Sequence, residues 1–178
     1  MMADNSTVKL AGYPLCLGMP LLAPLGVWLH IPWLSPLVIF GVFPVLGLLI
    51  GEDHSLPIVG LRRSPALVAY LKFLPRIYAL VWMATLIWAA GYASSMNSSG
   101  IALAALTVSV GIGSAVAICT AHELMHGRSQ FDALLARLMA ALCLYGHLVV
   151  EHFHHHATVG DVAVGATAPR GTDRKSVV

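Results

Sequence analysis

Two long windows of the chain carry no ionised side chain. No Asp, Glu, Lys or Arg occurs between Lys9 and Glu52, nor between Arg76 and Glu123. A water-facing surface of that length needs charges on one side, so neither window suits a soluble domain. A bilayer core about 30 Å thick takes about 20 apolar helical residues, and each window has room for two such spans. Composition agrees, with 58% of 178 residues hydrophobic and 10% charged, against roughly 45–50% apolar and about 25% charged in soluble domains. The fold class implied is all-α: a polytopic membrane helical bundle of about four transmembrane helices, with cytoplasmic-side helices carrying histidine motifs. A single membrane domain is expected over residues 1–178. A net charge of +2 and the lack of a basic stripe give no footing for nucleic acid as a partner.

The spans are placed at Tyr13 to His30, Pro32 to Ile50, Ile77 to Tyr92 and Ile101 to Thr120. The first holds Pro14, Pro20 and Pro24 and is expected to kink. Met1 to Thr7 lack the basic start of a cleaved signal, and the apolar stretch after them is too long and Pro-rich for one, so it reads as a membrane segment. His30-Ile31-Pro32 is a short link that makes the first two spans a tight antiparallel hairpin. Glu52, Asp53, Arg62, Arg63, Lys72 and Arg76 mark an interfacial loop with an amphipathic helix near Pro65 to Leu74. Ser94 to Gly100 is a polar turn, and Phe131 to Val150 is a further helical stretch carrying Asp132 and Arg137. Basic residues favour the cytoplasmic side, which places there the N-terminus, the loop before span three and everything after Thr120. Cys16, Cys119 and Cys143 lie far apart in apolar stretches and read as free, packed thiols.

Seven of the nine histidines fall between His122 and His156. The first group, His122-Glu123-Leu124-Met125-His126, sets two imidazoles at i and i+4, on one helical face and able to hold one metal. The second, Glu151-His152-Phe153-His154-His155-His156, sets His152, His155 and His156 on one face, with His154 pointing away. Alone, an HExxH can be a polar interfacial face and a histidine run a surface patch. Two such groups about 25 residues apart, leaving the same membrane face, point to a metal site. The candidate ligands are His122, His126, His152, His155 and His156. His147 reads equally as an accessory group or a packed polar residue, His30 and His54 as interfacial residues, and Cys119 as core. Glu123 and Glu151 each stay open between a general base or ligand and a group that orients an imidazole.

Hairpin spans followed by HELMH and an EHxxHH cluster resemble the membrane di-iron superfamily of fatty acid desaturases and hydroxylases, and within it the alkane 1-monooxygenases. The residues that carry this are His122 to His126, Tyr145-Gly146-His147, Glu151 to His156 and Thr158 to Gly171, with Phe43 to Gly47 and Gly51 to Asp53 upstream. The resemblance implies O2-dependent terminal hydroxylation of an alkane or similar chain at two irons held mainly by histidines. It also implies electrons from a rubredoxin-type partner with its NADH-dependent reductase, in the bacterial inner membrane. The chain departs from the family in its HxxHH spacing, closer to desaturases, and in Gly127, where Lys or Arg is usual. It lacks the family's later histidine motifs, and its five candidate imidazoles are too few for two irons. A C-terminally truncated fragment is therefore expected.

The tail fits that expectation. Asp173 to Val178 can be written back as GAT-CGG-AAG-AGC-GTC-GTG, which resembles a sequencing-adapter stretch, so residues 172–178 are expected to be non-native. Three other functions remain open on the sequence: a membrane fatty acid desaturase, an intramembrane zinc metalloprotease with Glu123 as base, and a non-catalytic membrane scaffold.

Overall fold

The computed structural model describes residues 12–51, 65–95 and 100–163. His54, Glu52, Asp53, Arg62 and Arg63, the middle of the polar turn and everything from residue 164 onward lie outside the described residues.

Every regular element among the described residues is helical. A 3₁₀ segment, Tyr13–Gly18, precedes α1 (Leu22–Trp28). The helix α2 follows at Leu34–Ile50, with a π turn at Val38–Val42. Then come α3 (Pro65–Ser95), α4 (Gly100–Met125), α5 (Gln130–Leu142) and α6 (Leu148–Ala157). Two of them, α3 and α4, are long and apolar enough to cross a membrane. The other two expected spans are shorter. The first is broken into a 3₁₀ turn and a seven-residue helix, because Pro14, Pro20 and Pro24 each remove a backbone donor. In the second, Pro44 has no N–H to give Phe40, and the backbone widens into the π turn just before it. Beyond its buried Ser35, α2 presents apolar surface outward, with Leu48 86% exposed. Such a face suits hydrocarbon better than water.

Two expected boundaries are corrected. The amphipathic helix near Pro65 to Leu74 and the third span are one helix, α3, running through Pro75. A proline is tolerated there when neighbouring helices keep the segment packed. The stretch Phe131 to Val150 is two helices, α5 and α6. At the break Leu144 adopts φ 57°, Leu144 N–H donates to the Ala141 carbonyl and Tyr145 N–H to that of Ala140. This pair of bonds is a Schellman stop, which usually takes glycine at the left-handed position. The same stop ends α1, where His30 has φ 58° and His30 and Ile31 donate to Val27 and Gly26. His30 thus shapes the link between the first two apolar segments. Leu144 is 92% exposed and its side chain contributes little to packing, so Leu144→Gly is expected to stabilise the chain by about 1 kcal/mol, the relief of left-handed strain less the added backbone entropy. Thermal unfolding in detergent checks this, and an unchanged or lowered midpoint would count against it.

The core lies where α3, α4 and α5 meet. Tyr78, Ala79 and Trp82 of α3 pack on Ala117, Ala121, Leu124 and Met125 of α4 and on Leu135, Ala136 and Met139 of α5. Alanines at the contacts allow close approach of the backbones, the mode of packing that works inside a membrane. Tyr78 Oη donates to the Gly113 carbonyl at 3.3 Å, and Ser109 Oγ to the Pro32 carbonyl at 3.3 Å. All three cysteines are free thiols, and Cys143 Sγ lies 3.7 Å from the Ser114 carbonyl oxygen.

Candidate metal centre

The first histidine group sits on the last turn of α4. His122 and Glu123 are helical, while His126 falls one residue past the helix end at Met125. There the chain turns, with Gly127 N–H donating to the Leu124 carbonyl at 3.0 Å. It re-enters a helix at Ser129, whose side chain accepts from Phe131 N–H and caps α5. The second group lies on α6, which α5 and its Schellman stop return to the end of α4.

Four imidazoles converge. Ring centroids stand 4.9 Å apart for His122 and His126, 4.3 Å for His122 and His152, 4.8 Å for His126 and His152, and 4.5 Å for His152 and His156. His152 Nε2 lies 3.0 Å from His126 Nε2 and 3.1 Å from His156 Nε2. A ring nitrogen offers one in-plane direction, a lone pair or an N–H, so His152 Nε2 cannot satisfy both neighbours by hydrogen bonding. A shared cation can. Two nitrogens bound at about 2.1 Å and at right angles stand about 3.0 Å apart, which is the spacing found. The donor set therefore fits a metal of the kind that favours neutral imidazole. Partial desolvation, and then the neighbouring His122, His156, His126 and His155, hold His152 below the usual histidine range. That favours the neutral form a metal needs.

The remaining candidates sit further out. The His155 ring is 5.8 Å from that of His156, farther than the contacting rings of the group of four. His147 is at the start of α6, exposed, with its ring 4.4 Å from Tyr145. Glu151 is exposed in the first turn of α6, where a negative charge suits the helix dipole. Glu123 is exposed, its Oε1 3.9 Å from His122 Nδ1, too far for a hydrogen bond.

Residues that the sequence pattern does not single out complete the surroundings. Arg76 of α3 grips Asp132 of α5 with two bonds, Nε to Oδ1 at 2.6 Å and Nη2 to Oδ2 at 3.0 Å. Hydrogen bonds from Arg76 hold the Asp132 carboxyl below the usual carboxylate range. The signal for this pair was available in principle: isolated opposite charges in otherwise apolar helices tend to find each other. On one side of the pair lies a cleft of about 510 Å³ with a mixed lining, reached by the polar side chains of Lys72, Glu123, His126 and Arg128 and by Val68, Leu71 and Leu124. Beside His122 opens a second, mainly apolar cleft of about 710 Å³, walled by Cys16, Leu74, Tyr78, Val116 and Cys119 among others.

The chain is similar to several curated alkane 1-monooxygenases. The chain is 30% identical to the alkane 1-monooxygenase of Pseudomonas putida over 155 residues, 83% of its own length and 39% of that protein's. With alkane 1-monooxygenase 1 of Alcanivorax borkumensis it shares 32% over 133 residues, 74% of the chain and 33% of the relative. With the Acinetobacter baylyi enzyme it shares 32% over 127 residues, 68% of the chain and 30% of the relative. No family model matches the chain. It spans about two fifths or less of the length of these curated relatives. On this similarity along most of its own length, the chain belongs with the alkane 1-monooxygenases, which are oxidoreductases.

Proposed function

We propose that this protein takes part in O2-dependent hydroxylation of alkanes or similar aliphatic chains, with iron held by the converging histidines. The observation that carries this reading is the meeting of His126, His152 and His156 nitrogens at 3.0 and 3.1 Å, in a chain similar to alkane 1-monooxygenases. In the reading, His122, His126, His152, His155 and His156 are the ligands. They supply too few nitrogens for both irons of a two-iron centre, so further ligands complete it. Iron bound there supplies the activation of O2. The residues around it bind and orient: the apolar cleft beside His122 takes the substrate chain and excludes water, each buried methylene contributing about 0.8 kcal/mol relative to a chain in water and little relative to one in lipid. Electrons come from a rubredoxin-type donor with its NADH-dependent reductase.

The same proposal sets the chain in the bacterial inner membrane with four crossings and the histidines on the cytoplasmic side, where soluble electron donors reach them. A zinc protease built on His122 and His126 leaves the convergence of His152 and His156 without a role. Metal analysis of the protein purified from membranes, joined to an assay with NADH, donor, reductase, O2 and n-octane, checks the proposal. Iron in the protein is expected, and 1-octanol as product when the further ligands that complete the two-iron centre are supplied. Near-stoichiometric zinc with no iron would sink it.

A further inference from the structure

We infer that the Arg76–Asp132 pair is a positioning device for His126, joining α3 and α5 to the turn that carries this histidine. The inference deepens the proposed metal centre and rests on it. Three observations carry it. Asp132 has a side chain only 9% exposed and accepts both bonds from Arg76, whose side chain is 33% exposed. Bidentate guanidinium–carboxylate pairs define direction as well as distance. Next, the Asp132 side chain lies directly against Gly127: a Cβ on Gly127 would stand 2.6 Å from Asp132 Oδ2 and 2.7 Å from its Cβ. No residue but glycine leaves that room, and Gly127 is the neighbour of His126 in the chain. Finally, His126 is held by no helix of its own, since α4 ends at Met125 and α5 begins at Gln130.

The turn is thus pinned from outside. Arg76 fixes the carboxylate, the carboxylate fixes where Gly127 can lie, and Gly127 fixes the backbone from which His126 reaches to within 3.0 Å of His152. Neither Arg76 nor Asp132 touches the imidazole nitrogens that converge, so the pair acts through the backbone and is not catalytic.

The test is a Co(II) titration of the full chain in detergent, read by visible ligand-field absorption, with far-UV circular dichroism and thermal unfolding measured alongside. Asp132→Asn is expected to keep the helix content and to weaken Co(II) binding by about tenfold to a hundredfold, the range seen when groups that orient metal ligands are lost. Its absorption band is expected to shift. Gly127→Ala leaves both charges in place and pushes on the carboxylate, so the same direction of change is expected. It carries the test if Asp132→Asn fails to fold. Arg76→Lys, which keeps the charge and loses the fork, is expected to fall between wild type and Asp132→Asn. Variants that unfold at lower temperature yet bind Co(II) as wild type does, with the same band, overturn the inference and leave the metal centre standing. A wild-type chain whose Co(II) band is missing, or is unaffected by His126→Ala, overturns the metal centre and the positioning role with it.

Discussion

Replacing His126 by alanine is expected to lower metal affinity by more than about a hundredfold, because losing a group that merely orients a ligand already costs tenfold to a hundredfold. Two ring nitrogens stand within 3.1 Å of His152 Nε2, and His126 supplies one of them, 3.0 Å away. Without it, His122 is left with its ring 4.3 Å from that of His152 and with no i+4 partner. Iron content is expected to vanish. In the metal-free chain the same change is expected to shift stability by less than about 0.5 kcal/mol, since His126 is exposed. That split separates a ligand from a packing residue. His147→Ala is the matched control, with its ring on Tyr145 and outside the group of four, and is expected to leave metal content unchanged. Metal analysis and thermal unfolding decide the matter, and a His126→Ala protein that retains iron would refute the assignment.

The second large effect concerns the core. Trp82→Ala is expected to destabilise the protein by about 3 kcal/mol, the low end of the usual range for large-to-small changes. Trp82 is 2% exposed and packs with Ala117 and Ala121 of α4, within 3.8 Å of where a Gly113 side chain would begin. Lipid is as apolar as this core, so packing contacts and the cavity left behind account for the loss, with little from dehydration. The indole N–H of Trp82 has no hydrogen-bond partner among the described residues. Trp82→Phe therefore removes an unsatisfied donor along with some volume, and is expected to cost less than about 1.5 kcal/mol. Unfolding in mixed detergent micelles compares the two variants. Equal losses for Phe and Ala would show that ring volume is not what holds the three helices together.

The helices and the histidines differ in how openly the chain announces them. The charge-free window between Arg76 and Glu123 suffices to foretell α4 and most of α3, because an apolar run of that length has one stable form in hydrocarbon. The window between Lys9 and Glu52 foretells two spans where the structure has shorter helices. The i, i+4 spacing of His152 and His156 likewise foretells their common face, and His122 and His126 follow the same rule up to the last turn of α4. Breaks between helices are harder to read. Leu144 stops α5 in a left-handed conformation at a position where glycine would have advertised the turn, and Gly146 two residues on is a misleading cue. Pro75 looks like a helix boundary and is not one, because α3 continues through it and is held by α4 and α5 on its buried side.

Taken alone, the amino-acid order determined the apolar helical character, the free thiols and the family resemblance, since each depends on residue type and short-range spacing. Tertiary structure decided which imidazoles meet. His155 shares a helical face with His152 and His156 yet lies outside the group of four, while His126 joins it from the turn between α4 and α5. Isolated opposite charges hint at a pair, but the fold decided that Arg76 meets Asp132, 56 residues away, and that position 127 needs glycine. The physical reason is the same in each case: periodicity describes the face of one helix, whereas a metal centre is set by where three helices and a turn bring their side chains in space.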